Sequence, residues 1–297
     1  MFGADAVGCD ISAFNCLLAR VKTAEYSLGA LELDLRGVLE QARTSSGSTA
    51  GASEWLRAWY APQALVELLA YRRATRRLAP AHRAVAHVVL SRAARSARLT
   101  THFDLDGPRA PVTAPYLCRK HKRECRPVEE ATKFLARYTA DTIARLREYA
   151  AVRTKREVLV VHGDARRVRL AVQPTGVITS PPYPGLIDYH EQHRYAYELL
   201  QLKDRRTDEI GPAAAGRSAG ALAGYVKSMT QAFRNVSRRL APRSAVLIVV
   251  NDSQDLYPRI LAGAGLVLEE RITRHVNRRT GRRAGEFFED VLVCRTA

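Results

Sequence analysis

Gly176-Val177-Ile178-Thr179-Ser180-Pro181-Pro182-Tyr183 is the stretch on which the reading of this chain turns. Its first four residues are short and β-rich, the composition of a buried strand that stops at a turn. Two consecutive prolines follow, and they fix the backbone while removing two amide donors. The turn is left with a rigid set of acceptors, the Ser180 hydroxyl and the Pro181 carbonyl, beside the Tyr183 ring. Ligands of open α/β sheets sit beyond the carboxyl ends of the strands, so a turn in this position faces a site.

Similar units lie on either side. Val158-Leu159-Val160-Val161 reads as a strand ending at His162-Gly163-Asp164-Ala165-Arg166, and Ala245-Val246-Leu247-Ile248-Val249-Val250 as another, after a helix expected over 218–240. A helix over 256–264, a strand from Leu266 and a strand pattern over 287–294 complete this part. Near the start, residues 4–10 read as a strand ending at Asp10, with Ser12 as N-cap of a helix reaching Lys22. A second helix is expected over 28–42, and residues 44–51 are a flexible break by composition. Residues 53–153 are mainly helical in pattern, with apolar faces at Leu65, Leu68 and Leu69 and at Val85, Val88 and Val89. Strands alternating with helices imply an α/β fold, a mostly parallel sheet with helices on both faces. The expected organisation is an N-terminal part over 1–42, a helical insertion over 53–153 and a catalytic part over 154–297.

The 297 residues are 46% hydrophobic and 26% charged, which fits a globular chain with a sizeable core and argues against disorder. No apolar run approaches the roughly 20 residues of a membrane span, and the first residues are not expected to act as a secretory signal. Five scattered cysteines argue against a disulfide framework and suit a reducing cytoplasm. Lys and Arg number 47 against 30 Asp and Glu, a formal charge of +17 that favours a polyanionic partner.

The acceptors of the Ser180 turn suit an exocyclic amino group whose nitrogen is held with its lone pair free to attack a methyl donor. Tyr183 would stack on the base bearing that amine. Here the chain resembles the amino-methyltransferases of DNA, whose fourth motif reads Asp/Asn/Ser-Pro-Pro-Tyr, and the Ser form is similar to that of the N4-cytosine group. The order Asp10, Asp164, Ser180, each at a strand end, matches the family's second, third and fourth motifs. The resemblance implies a class I methyltransferase-like (Rossmann-like) fold, S-adenosylmethionine as cofactor, and methylation of DNA at N4 of cytosine on a flipped-out base. It implies Ser180, Pro181, Pro182 and Tyr183 as the catalytic turn. It also implies Asp10, with Ile11 beside it, at the cofactor's ribose and Asp164 at its adenine. Tyr189 and His190, in the polar and aromatic stretch after the turn, would line the pocket. An N6-adenine enzyme, an RNA amino-methyltransferase and a non-catalytic nucleic-acid-binding relative share parts of this pattern, and a restriction or defence partner is left open. The family's glycine-rich Phe-x-Gly-x-Gly turn, which precedes the acidic strand, has no counterpart here, because Phe2-Gly3 directly follows Met1. That piece is expected upstream or in another chain, or cofactor binding is impaired.

Three further features bear on function. Arg278, Arg279, Arg282 and Arg283 fall in a basic loop between two strand patterns, and are expected to clamp phosphates beside the target base. Asp188, His190 and His193 invite a metal reading with Glu191 as base, but transfer from a sulfonium donor needs no metal, and none is expected there. Cys118, His121 and Cys125 offer three soft ligands in eight residues, whereas structural zinc takes four. His102 is the one obvious fourth, and the expected reading is a basic loop carrying two unpaired thiols.

Overall fold

The computed structural model describes residues 3–44, 47–102, 108–276 and 288–297. The chain divides into two compact units, one comprising residues 1–8, 12–161 and 190–204, the other residues 9–11, 162–189 and 205–297.

The first unit is helical. Strand β1 (Ala6–Asp10) leads into α1 (Ala13–Thr23), capped as expected by the Ser12 hydroxyl, which accepts the Asn15 amide at 3.2 Å. Next come α2 (Leu28–Thr44), α3 (Glu54–Trp59), α4 (Pro62–Ala74) and α5 (Pro80–Ala97). Pro62 and Pro80 each open their helix, where a missing amide costs nothing. A hairpin of β2 (Tyr116–Cys118) and β3 (Arg123–Cys125) precedes α6 (Thr132–Ala150) and β4 (Val158–His162). The short α7 (Tyr189–Gln192) and α8 (Arg194–Leu200) close the unit. Helix α5 is central: its Val85, Val89, Leu90, Ala93 and Ala97 are fully buried, and it packs on α1, α4, α6 and α8. No side chain of its own caps α6. Glu67 of α4 does so instead, accepting the Ala131 and Thr132 amides at 2.6 and 2.7 Å.

The expected boundary at 53 is redrawn by this core. Leu31, Leu35 and Val38 of α2 share one cluster with Leu65 and Leu68 of α4 and Leu135 of α6. The 53–153 stretch is therefore not a separate insertion, because α1 and α2 belong to the same helical core.

The second unit carries a four-stranded sheet. Its strands are β5 (Gly176–Thr179), β6 (Ala245–Val250), β7 (Leu266–His275) and β8 (Phe288–Thr296), in the order β5-β6-β8-β7. Helix α9 (Ala219–Ser237), capped by Ser218, precedes β6, and α10 (Tyr257–Ala264) follows it, ending at Gly265 with φ +70°. Strands β5 and β6 are parallel, with Thr179 opposite Ile248. β8 is antiparallel to both neighbours, with Val250 opposite Asp290 on one side and His275 opposite Phe288 on the other. In a separate two-stranded sheet β1 pairs with β4. The Ala6 amide bonds the Glu157 carbonyl, and the Gly163 amide bonds the Asp10 carbonyl, so these two strands run the same way.

The expectation of a mostly parallel sheet with helices on both faces is corrected on two counts. β8 inserts between β6 and β7 with reversed direction, so among the described residues parallel pairing is confined to β5–β6 and β1–β4. Both helices of the second unit pack into a single cluster: Tyr225, Met229 and Phe233 of α9 and Tyr257, Ile260 and Leu261 of α10 meet Val246, Ile248, Val250 and Leu292. The strict alternation of β6 aims Val246, Ile248 and Val250 inward. Replacing Ile248 with Ala is expected to destabilise this unit by about 3 kcal/mol. Urea unfolding followed by amide exchange of β6 checks it, and a loss below about 1 kcal/mol would contradict the packing described.

Candidate active site

The second unit gathers chemistry at the carboxyl ends of its parallel strands. Asp10 ends β1, Asp164 follows β4, Ser180 follows β5, and Asn251 and Asp252 follow β6. The start of the reversed strand β8 lies at that same edge, which places Glu289 there.

The Ser180–Tyr183 turn is fixed from both sides. Pro181 is buried and Ser180 is exposed. The Tyr183 hydroxyl donates to Glu289 Oε1 at 2.8 Å, and the Tyr225 hydroxyl donates to the Pro182 carbonyl at 2.8 Å. Tyr225 in turn lies 3.2 Å from the Tyr257 oxygen. Among the described residues no hydrogen bond takes the Pro181 carbonyl. Arg274 donates to Glu289 Oε2 at 2.7 Å. An ionised carboxylate only accepts. Glu289 therefore accepts from both Tyr183 and Arg274, and Ser180 stands exposed at the start of the turn.

The segment after the turn is held by close backbone approach. Gly185 has φ +67°, and a Cβ there would stand 2.7 Å from the Gly216 carbonyl oxygen; its amide bonds the Gly211 carbonyl at 3.0 Å. Gly211 has φ +63°, and a Cβ there would meet the Tyr225 ring at 2.7 Å. Asp188 accepts the Ala214 amide at 3.2 Å. Asp252 accepts the amides of Leu256 and Tyr257 and so caps the start of α10.

Tyrosines and carboxylates interleave here. Burial, then the charges of Asp10 and Glu209, raises the Tyr189 phenol. Burial, then the hydrogen bond and charge of Glu289, raises Tyr183. Burial pushes Tyr225 up to about 12. Tyr257 stands well above its ordinary value through burial, then Tyr225 and Asp252. All four phenols are protonated donors at neutral pH.

The sequence-derived residues fare unequally. Ser180, Pro181, Pro182 and Tyr183 form one turn, and Tyr189 is within electrostatic reach of both Tyr183 and Asp10. The Ile11 carbonyl is engaged by His162 Nε2 at 3.0 Å, a backbone role. The Asp164 carboxylate is partly occupied: its Oδ1 accepts the Arg166 amide and side chain, both at 2.9 Å, and its Oδ2 accepts Arg166 Nε at 3.0 Å. The expectation for His190 is corrected. Its imidazole is buried in the helical unit, 4.7 Å from the Tyr197 ring and 4.0 Å from Asp204, because α7 turns it into that core. His193 packs on Phe14. Arg278, Arg279, Arg282 and Arg283 lie outside the described residues. Glu289, Tyr225, Asn251 and Asp252 were missed. The last two directly follow an apolar strand, the same signal that exposed Ser180, whereas Glu289 and Tyr225 arrive by long-range packing and leave no local mark. The loop read as carrying two unpaired thiols is altered by His102, which joins Cys118, His121 and Cys125. Among the described residues no helix is long and apolar enough to cross a membrane.

The type II methyltransferase M.MjaII of Methanocaldococcus jannaschii is 38% identical to the chain over 250 residues, 79% of this chain and 47% of that protein. The chain belongs to the type II methyltransferase family. It spans about half the length of this relative. No protein-family model and no solved structure matches it.

Partial burial pushes the Asp164 carboxyl up, but the hydrogen bonds and charge of Arg166 outweigh it and hold the group below its ordinary 3.8. Its contribution to stability is then present above pH 3.8 and is lost as pH falls through the depressed folded value. Arg166→Gln should move the Asp164 titration upward, read by carbon-13 NMR of the carboxyl, and should erase that acid-side contribution. An unmoved titration would contradict the pairing.

Proposed function

We propose that this chain transfers a methyl group from S-adenosylmethionine to an exocyclic amine of DNA, the N4 amine of cytosine. The observation that carries the reading is the Ser180–Tyr183 turn, with Ser180 exposed, its Pro181 carbonyl unbonded among the described residues and Tyr183 anchored on Glu289, in a chain of this family.

The chemistry of the donor set fits the cofactor. Phenols and carboxylates alternate around the site, and both favour a sulfonium cation. Asp10 suits paired ribose hydroxyls, and Asp164, although engaged by Arg166, retains acceptor capacity on Oδ2 for an adenine amine. When bound, S-adenosylmethionine supplies an electrophilic methyl on sulfur that departs as a neutral thioether.

Ser180 and the Pro181 carbonyl accept the two amine hydrogens. The nitrogen lone pair is thereby pointed away from both acceptors, towards the methyl. No phenolate is available to serve as base, and none is needed, because the amine sheds its proton after the new bond forms. That proton leaves past exposed Ser180 to water. Tyr183, anchored at its hydroxyl, offers its ring to the flipped base. The choice of cytosine over adenine rests on Ser180 in the motif's first position.

Arg278, Arg279, Arg282 and Arg283 are assigned to phosphates flanking the target. A salt slope of DNA binding that stays unchanged when all four become Ala would remove them from the interface.

Ser180→Ala is expected to lower kcat roughly 100-fold with cofactor Kd nearly unchanged. Glu289→Gln, which weakens the anchor of the Tyr183 hydroxyl without touching substrate, is expected to lower kcat roughly 10-fold with KM preserved. Single-turnover transfer of labelled methyl to duplex DNA, with cofactor titration alongside, measures both. Full activity in Ser180→Ala would overturn the reading.

A further inference from the structure

The hairpin of β2 and β3 is small even by hairpin standards. Each strand has three residues, paired Tyr116 to Cys125, Leu117 to Glu124 and Cys118 to Arg123. Leu117 is 80% exposed, so the hairpin gains little from an apolar core of its own. Its turn holds Arg119, Lys120 and Lys122, beside Arg123 at the start of β3, and these like charges repel one another; Lys122 takes a left-handed conformation at φ +55°. Something else must hold it closed.

Cys118 and Cys125 are its buried residues, and both sulfurs point at histidines. Cys118 Sγ lies 3.6 Å from His102 Nδ1 and 3.6 Å from His121 Nδ1, and His121 Nδ1 lies 3.4 Å from Cys125 Sγ. The four ligand atoms all fall within 4.8 Å of one another. Zinc–sulfur bonds of about 2.3 Å and zinc–nitrogen bonds of about 2.05 Å, at tetrahedral angles, give a sulfur–nitrogen edge of about 3.6 Å. All three measured edges lie within 0.2 Å of that value.

We propose that His102, Cys118, His121 and Cys125 form a closed tetrahedral site for a structural zinc ion, which staples the hairpin to the turn at His102. Two thiolates and two neutral imidazoles fill four positions and leave none open, so the ion's role is folding rather than catalysis. Tyr116 supports the site from outside. Its hydroxyl oxygen accepts the His102 backbone amide at 3.0 Å and lies 3.2 Å from His102 Nδ1. When the metal takes that nitrogen, the amide bond keeps His102 in place.

Small domains that cannot bury enough apolar surface use such staples, and metal affinity then becomes folding free energy. The charges of Arg119, Lys120, Lys122 and Arg123 are thereby presented on a rigid loop, and the bound dication is neutralised by its two thiolates.

The test is metal analysis of the full chain, purified under reducing conditions with zinc in the medium and then challenged with a chelator. About one zinc per chain should remain. Cobalt exchanged into the unmutated protein should show tetrahedral d–d bands with a thiolate charge-transfer band. That readout does not depend on any variant folding. Cys118→Ser and Cys125→Ser should each retain less than roughly a tenth of the parent zinc under the same challenge, and His121→Asn should weaken retention less. Zinc-free protein with an octahedral cobalt spectrum, or recovery of a Cys118–Cys125 disulfide from the reduced preparation, would overturn the proposal.

Discussion

A turn with two prolines gives up two of the amide donors by which a backbone usually pins itself down, so its position has to be set by side chains. In this chain two tyrosines do it. Tyr183 reaches Glu289 and Tyr225 reaches the Pro182 carbonyl, each at 2.8 Å. Both bonds depend on the sheet: Glu289 is at the edge because β8 runs antiparallel beside β6, and Tyr225 is there because α9 packs on β6. The order β5-β6-β8-β7 and the placement of the acceptors at Ser180 and Pro181 are therefore one arrangement seen at two scales.

Charge is distributed to match. The chain as a whole is strongly basic, at +17. Around the Ser180 turn, however, Asp10, Glu209, Asp252 and Glu289 sit among tyrosines whose phenols are all raised. A basic exterior favours approach to a phosphate backbone, whereas an acidic and aromatic interior favours a small cation. Those are the two preferences a cationic methyl donor and a nucleic acid would require of one protein.

Much of this was legible in the residues, and the boundary of legibility has a physical cause. Ser12 announced its helix because capping is local, and β5 announced Ser180 because strand composition and a proline turn are local. The reversal of β8 was not legible, since strand direction depends on which neighbour it meets. The same holds for Glu289, more than 100 residues from Tyr183, and for His102, whose company with Cys118 depends on how the intervening chain folds back. His190 misled for a different reason: its polar neighbours suggested a pocket, but α7 turns it against Tyr197. The boundary expected at residue 53 failed because a flexible composition marks a break in the chain and not a break in the core.

The account rests on Ser180 and Pro181 holding an amine for methylation, and the modified base itself reports on that directly. DNA from a methylation-deficient host expressing this chain, digested to nucleosides and analysed by mass spectrometry, should contain N4-methylcytosine, absent from the same host carrying Ser180→Ala. N6-methyladenine would keep the amine chemistry and overturn the assignment of the base. Unmodified DNA from the parent chain, or the same mark with Ser180→Ala, would contradict the central claim.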